Sequence, residues 1–159
     1  AAPRPIAFLA RHSLYRSRGF GRLILGLNAY PLPRENVSTG AIKRALKLLE
    51  AGWAILVFPE GTRSPDGALK PFRGGLAFLA AKARVPVIPA AVKGAFEAWP
   101  RGRLFPRPGK VTVAFGPLIL YDDIHDTYDS FTARVAGAVA ALAGQAPASP
   151  GTAPGAARS

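Results

Sequence analysis

Cysteine and methionine are both missing from the 159 residues. Without cysteine there is no disulfide, no thiol nucleophile and no thiolate metal ligand, and nothing follows about redox compartment. Without methionine, even at position 1, the sequence is expected to be processed or cut from something longer; a signal-peptidase cut before Ala1 and an internal cut both account for this. Histidine is scarce: His12 and His125 are too few for a histidine metal cluster. Acidic residues are also sparse, 9 Asp plus Glu against 21 Lys plus Arg, for a formal charge of +12. That balance favours anionic partners, whether nucleic acid, acidic lipid or phosphorylated substrate. Long apolar runs are absent as well. The best candidates, residues 85–92 and 135–143, are broken by Pro or Gly and fall short of the roughly 18 residues a membrane span needs. Membrane contact by these residues is expected to be peripheral.

What is present suits one globular domain: hydrophobic residues make up 49% and charged residues 19%. Ser38-Thr39-Gly40 supplies N-cap chemistry before Ile42, Ala45, Leu46 and Leu49 at helical spacing, and Gly52 marks the stop. Phe72, Leu76, Leu79, Ala80 and Ala83 predict a second helix, with Gly74 and Gly75 near its start for close approach of backbone. A third runs over about 130–142, with Phe131, Val135, Val139 and Leu142 inward and Gly144 at its end. Residues 144–159 are Pro, Ala, Gly and Ser almost throughout and are expected to be a disordered tail to a domain over 1–143.

Strands are shorter. Trp53-Ala54-Ile55-Leu56-Val57-Phe58 is apolar without alternation, the pattern of a strand buried on both faces of a parallel sheet. Residues 6–10 form another short apolar run. Val111, Val113 and Phe115 alternate with Thr112 and Ala114 as a half-buried strand, while Pro86 and Pro89 give residues 85–89 an edge or irregular character. Strands alternating with amphipathic helices predict an α/β fold with a mostly parallel central sheet flanked by helices.

Residues 13–27 mix Leu14, Tyr15, Phe20, Leu23 and Ile24 with Arg16, Arg18 and Arg22. Such a segment can lie on an anionic bilayer or be a surface helix with solvated arginines, and pattern alone leaves both open. The apolar strand ends in Phe58-Pro59-Glu60-Gly61-Thr62-Arg63-Ser64 and then Pro65-Asp66-Gly67. A loop at the carboxyl end of a buried parallel strand is where open α/β sheets bind ligands. Gly61 permits unusual backbone geometry, Thr62 and Ser64 offer hydroxyls, and Arg63 offers a fork matched to phosphate oxygens. The residues alone allow a phosphate- or carboxylate-binding loop, or a structural turn with a Glu60–Arg63 salt bridge.

That segment resembles the FPEGTRS motif of the 1-acyl-glycerol-3-phosphate acyltransferase family at all seven positions. The stretch from Gly26 to Arg34 is similar, more loosely, to the family's second motif, and residues 85–92 closely resemble the fourth. Pro71-Phe72-Arg73-Gly74-Gly75 resembles the family's turn into the following helix. The likeness covers roughly residues 3–118 and implies a glycerol-3-phosphate acyltransferase-like fold lacking its N-terminal portion. By resemblance, Arg34 and Arg63 would hold the acceptor's phosphate, with Arg73 a further candidate beside a helix start. Glu60 would position Arg63 or meet the acceptor's glycerol hydroxyl, and Gly61 and Thr62 would shape the loop and lend backbone N–H groups. The fourth motif would line the acyl or thioester side.

The family's first motif, His-x-x-x-x-Asp, supplies a general base for the acceptor hydroxyl. Here His12 is followed five places on by Ser17, and His125 by Ser130, so no catalytic residue is assigned. Residues 3–8 resemble the piece that follows that motif, so an internal cut that removed it is the expectation. The resemblance implies acyl transfer from acyl-CoA or acyl-carrier protein to a lysophospholipid hydroxyl in phospholipid biosynthesis. It calls for no cofactor and no metal, and implies work on an anionic membrane surface at the cytoplasmic face. The alternative is a non-catalytic lipid- or phosphate-binding relative. Nucleic acid is not an expected partner, because the arginines are dispersed and no helix-turn-helix, zinc-finger or stacking platform is present.

Overall fold

The computed structural model describes residues 4–11, 29–32, 39–62, 64–100, 103 and 105–146. The basic–apolar segment 13–27, Arg34, Arg63 and residues 147–159 lie outside the described residues. The chain divides into two compact units, Ala1–Phe58 with Phe78–Val85, and Pro59–Ala77 with Pro86–Ser159.

The first unit is built on three parallel strands: β1 (Ile6–Arg11), β2 (Ala29–Leu32) and β3 (Ala54–Leu56), in the order β2-β1-β3. Phe8 lies opposite Ala29 on one side of β1 and opposite Leu56 on the other. Parallel strands of one sheet need crossover connections, and α1 (Thr39–Glu50) links β2 to β3, which flank β1, and packs on β3. Its Ala41 and Ala45 are buried, whereas Lys43, Arg44 and Lys47 face solvent. The helix ends where Gly52 takes a left-handed φ of 81°. There Trp53 N–H donates to Leu48 O and Gly52 N–H to Leu49 O, satisfying carbonyls the last turn leaves over.

β3 is shorter and less buried than its six apolar residues predict. Trp53 N–H is committed to the helix end, and Pro59 has no N–H to offer a ladder. The three strand residues are each half-buried and Phe58 is exposed. α2 (Gly75–Ala83) likewise begins after Phe72, and ahead of it Arg73 N–H donates to Pro59 O at 3.0 Å. Ala77 and Ala80 are its buried positions. At its end Arg84 adopts φ 50°, and Val85 N–H donates to Ala80 O.

In the second unit β4 (Ala90–Lys93) and β5 (Thr112–Phe115) pair antiparallel, joined through the short helix α3 (Ala95–Ala98) and a connector. The proline-bearing stretch before β4 is irregular, as its composition predicts: it contributes one isolated bridge, Val87 to Ile119, with Pro89 fully buried. α4 (Tyr128–Ala143) covers one face of the hairpin. Thr127 Oγ1 accepts from Ser130 N–H while Ser130 Oγ accepts from Thr127 N–H, a reciprocal cap, and Gly144 closes the other end at φ 70°. Phe131, Val135, Val139 and Ala140 form its buried stripe.

Alternation in β5 leaves open which face of the hairpin is covered, and the structure decides it. Ala91 is buried and Ala114 half-buried, and a Cβ at Gly116 would lie 3.2 Å from Leu142 Cδ1 on α4. The small residues therefore face the helix, whereas Val113 and Phe115 are 49% and 71% exposed. Small side chains let the helix approach the sheet closely, and strand alternation then turns the large ones outward.

Candidate functional site

Beyond Phe58 the chain enters a loop that returns on itself at Arg73. The Arg73 N–H bond to Pro59 O closes the neck, and Lys70 N–H donates to Glu60 Oε2 at 3.0 Å across it. Glu60 is thus half-buried with one carboxylate oxygen fixed by backbone. A charged acceptor for a backbone donor makes this one of the stronger bonds in the loop.

The far side of the loop is shaped by turn chemistry. Ser64 Oγ donates to Asp66 Oδ1 at 2.9 Å and accepts from Gly67 N–H, while Ala68 N–H donates to Asp66 Oδ1. These bonds, the Ser64 hydroxyl first and Ala68 N–H next, hold the Asp66 carboxyl below its ordinary 3.8. Gln145, just past α4, then clips the loop: its Oε1 accepts from Leu69 N–H at 2.9 Å and its Nε2 donates to Gly67 O at 3.1 Å. Gln145 falls in the stretch expected to be a disordered tail. The boundary moves outward because its N–H donates to Ala140 O, completing the helix cap, and its amide pairs with the loop.

Gly61 is the centre of this arrangement. Its φ of 69° is left-handed, and a Cβ there would meet Arg73 Nε at 3.0 Å and Cζ at 3.1 Å. The Arg73 guanidinium therefore lies directly on the Gly61 backbone. Arg73 is exposed, so its remaining N–H donors are open to solvent beside the loop. Thr62 is half-buried within the same turn.

Of the six residues predicted for the site, four are described and belong to one loop: Glu60, Gly61, Thr62 and Arg73. Arg63 and Arg34 lie outside the described residues, so the Glu60–Arg63 salt bridge has no description either. Sequence reading missed the Glu60–Lys70 bond and the Gln145 clip. The Ser64-Pro65-Asp66-Gly67 turn signal could have located the loop's far side, whereas nothing near Gln145 marks it as a loop partner.

The histidines stay apart from this chemistry. His12 lies outside the described residues. His125 Nδ1 is 2.7 Å from Asp122 Oδ2 in the turn before α4, where Asp122 also accepts Ile124 N–H at Oδ1 and donates its own N–H to Asp126 Oδ2. That imidazole is highly exposed and serves the turn.

Residues 1–93 match the family model described as Acyltransferase. The chain is 36% identical over 101 residues to a 1-acyl-sn-glycerol-3-phosphate acyltransferase of Limnanthes douglasii, covering 55% of this chain and 36% of the relative. It is 30% identical over 124 residues to the enzyme of that name from Bacillus subtilis (strain 168), covering 77% and 59%. The crystal structure of the 1-acyl-sn-glycerophosphate acyltransferase PlsC from Thermotoga maritima matches with a TM-score of 0.71 and 31% identity, over 84% of this chain and 53% of that one. The chain thus spans between about a third and three fifths of the length of these relatives.

Proposed function

The chain belongs to the Acyltransferase family, and from that premise we propose that it carries the acceptor-holding part of an enzyme that moves a fatty acyl group to a hydroxyl of a phosphate-bearing lyso-lipid such as 1-acyl-glycerol-3-phosphate. The observation that carries the reading is the Arg73 guanidinium seated on Gly61, in the same closed loop as Glu60 and Thr62. A guanidinium with donors facing solvent, beside a left-handed glycine whose backbone can approach a ligand, suits an acceptor's phosphate. Arg63, one residue beyond Thr62, and Arg34 are assigned to the same anion. Glu60, with one oxygen engaged by Lys70 N–H, retains a second for a glycerol hydroxyl or for Arg63.

The thioester of an acyl-CoA or acyl-carrier protein supplies the activation, so the donor is a co-substrate and the reading calls on no resident cofactor. The acceptor hydroxyl must lose a proton as it attacks the thioester carbonyl, and the thiol leaves protonated. Neither His12 nor His125 has an aspartate five places on. The general base is therefore assigned to a His-x-x-x-x-Asp segment of a longer protein, and these 159 residues alone to acceptor binding. The formal charge of +12 supports work on an anionic membrane surface, and the cytoplasmic face is part of the same proposal.

Calorimetric titration tests the site. The chain is expected to bind 1-acyl-glycerol-3-phosphate at least about tenfold more tightly than the same lyso-lipid without phosphate, and Arg63→Ala or Arg73→Ala to weaken it about tenfold, the scale of a lost charged hydrogen bond. Equal affinity for the two lipids would remove the assignment. The competing reading, a non-catalytic phosphate- or lipid-binding relative, is separated by joining the chain to an upstream His-x-x-x-x-Asp segment and following thiol release from an acyl thioester. No release with binding intact favours that relative.

A further inference from the structure

The outward face of the β4–β5 hairpin and the connector that feeds it have no role in acceptor binding. Along that face, Val92 lies opposite Val113 and Ala90 opposite Phe115. Ile88, in the irregular stretch before β4, and Val111, just before β5, are exposed as well, and Val92, Val113 and Phe115 are 50%, 49% and 71% exposed. Adjacent large apolar side chains left open in this way mark an interaction surface rather than scattered exposure.

The connector tells what the surface meets. It is a built loop: Trp99 Nε1 donates to Arg103 O at 2.9 Å, and Arg107 N–H donates to Ala98 O at 2.7 Å. It presents Phe105 at 72% exposure between exposed Arg103 and Arg107, and ends at exposed Lys110. Lys110 O is so close to Gly94 that a Cβ there would come within 2.1 Å, which fixes the basic connector at the Lys93–Thr112 end of the hairpin. No acidic residue occurs between Glu97 and Asp122.

We propose that the outer face of this hairpin, with Arg103, Arg107 and Lys110 at its end, is a docking surface for an anionic lipid bilayer. The apolar row enters the acyl boundary while the guanidinium and ammonium groups meet lipid phosphates, and Trp99 and Phe105 sit at the level where aromatic rings favour the interface. What distinguishes the face is its row of open apolar side chains with basic groups at one end, a pairing of chemistries that an anionic bilayer matches. The assignment rests on the membrane part of the reading above, not on the acceptor site.

Flotation with vesicles of phosphatidylcholine, alone or mixed equally with phosphatidylglycerol, tests it. The chain is expected to float with the mixed vesicles and not with phosphatidylcholine alone. Arg103→Glu with Arg107→Glu should weaken partition by more than about tenfold, each basic group near a charged surface contributing about fivefold. Val113→Ser with Phe115→Ser should weaken it by about tenfold through lost apolar burial. Circular dichroism checks that each variant folds, and Phe105→Ser, on the connector, replaces the strand pair if that pair does not. Binding that both sets of changes leave intact would mean the bilayer meets another face, sinking this surface but not membrane association. Absence of binding by the parent chain would remove both. A concentration-dependent dimer abolished by the strand pair would instead give the face to a second copy and overturn the proposal.

Discussion

Gly61 shows how the absence of one side chain sets the place of another. Its φ of 69° costs an alanine about 1–2 kcal/mol, and the methyl would have to displace the Arg73 guanidinium as well. Gly61→Ala is expected to lower stability by about that amount in urea unfolding and to weaken phosphorylated lyso-lipid binding more than Thr62→Ala does. An unchanged affinity would mean that Arg73 does not need its seat on the glycine backbone. The conformational demand at Gly61 was legible from its place in a seven-residue motif. Its guanidinium neighbour was only half legible: Arg73 was a candidate for its nearness to a helix start, whereas the structure makes it one by resting it on the loop twelve residues earlier. Contact between residues 61 and 73 is a tertiary fact that no spacing rule contains.

Three helices end in the same way, with a residue two or three past the helix donating back to the carbonyl five earlier: Trp53 to Leu48, Val85 to Ala80 and Gln145 to Ala140. The residue before each donor sits at positive φ, and in two cases it is glycine. The third is Arg84, where a side chain is held in a region that favours glycine. Arg84→Gly is expected to raise the stability of the first unit, to which Arg84 belongs, by about 0.5–1 kcal/mol, read as a higher thermal midpoint, because relief of backbone strain exceeds the added chain entropy. A lower midpoint would show that the Arg84 side chain contributes more than its backbone costs. The glycine stops after α1 and α4 could be read directly from sequence. The start of α2 could not, since Phe72 fits the apolar period although the helix begins at Gly75. Nor could the orientation of β5, where alternation predicts two faces without saying which one the helix selects.

Across the whole molecule the charge excess is basic, yet two of its few carboxylates are the groups held below their ordinary value. Asp66 is lowered by the Ser64 hydroxyl and Ala68 N–H, and Asp122 by His125 and then Ile124 N–H. A depressed folded value means that the stability each contributes is fully present above 3.8 and is lost as pH falls through the lower folded value. Acid unfolding followed by circular dichroism should therefore steepen below about pH 4. Asp66→Asn with Asp122→Asn should flatten that limb, and an identical acid limb would show that neither turn contributes. The α/β class and the motif loop were readable from periodicity and resemblance, because an apolar run leading into a seven-residue motif is a local signal. The clip by Gln145 depends on contacts 76 and 78 residues apart, and each of the two units joins stretches distant in sequence, which local pattern does not carry. For anyone trimming the protein, that clip sets a boundary. Stopping at Gly144 would leave every recognisable motif in place and still unfasten the motif loop, so a shortened version should keep Gln145, and a fusion partner should be joined beyond it.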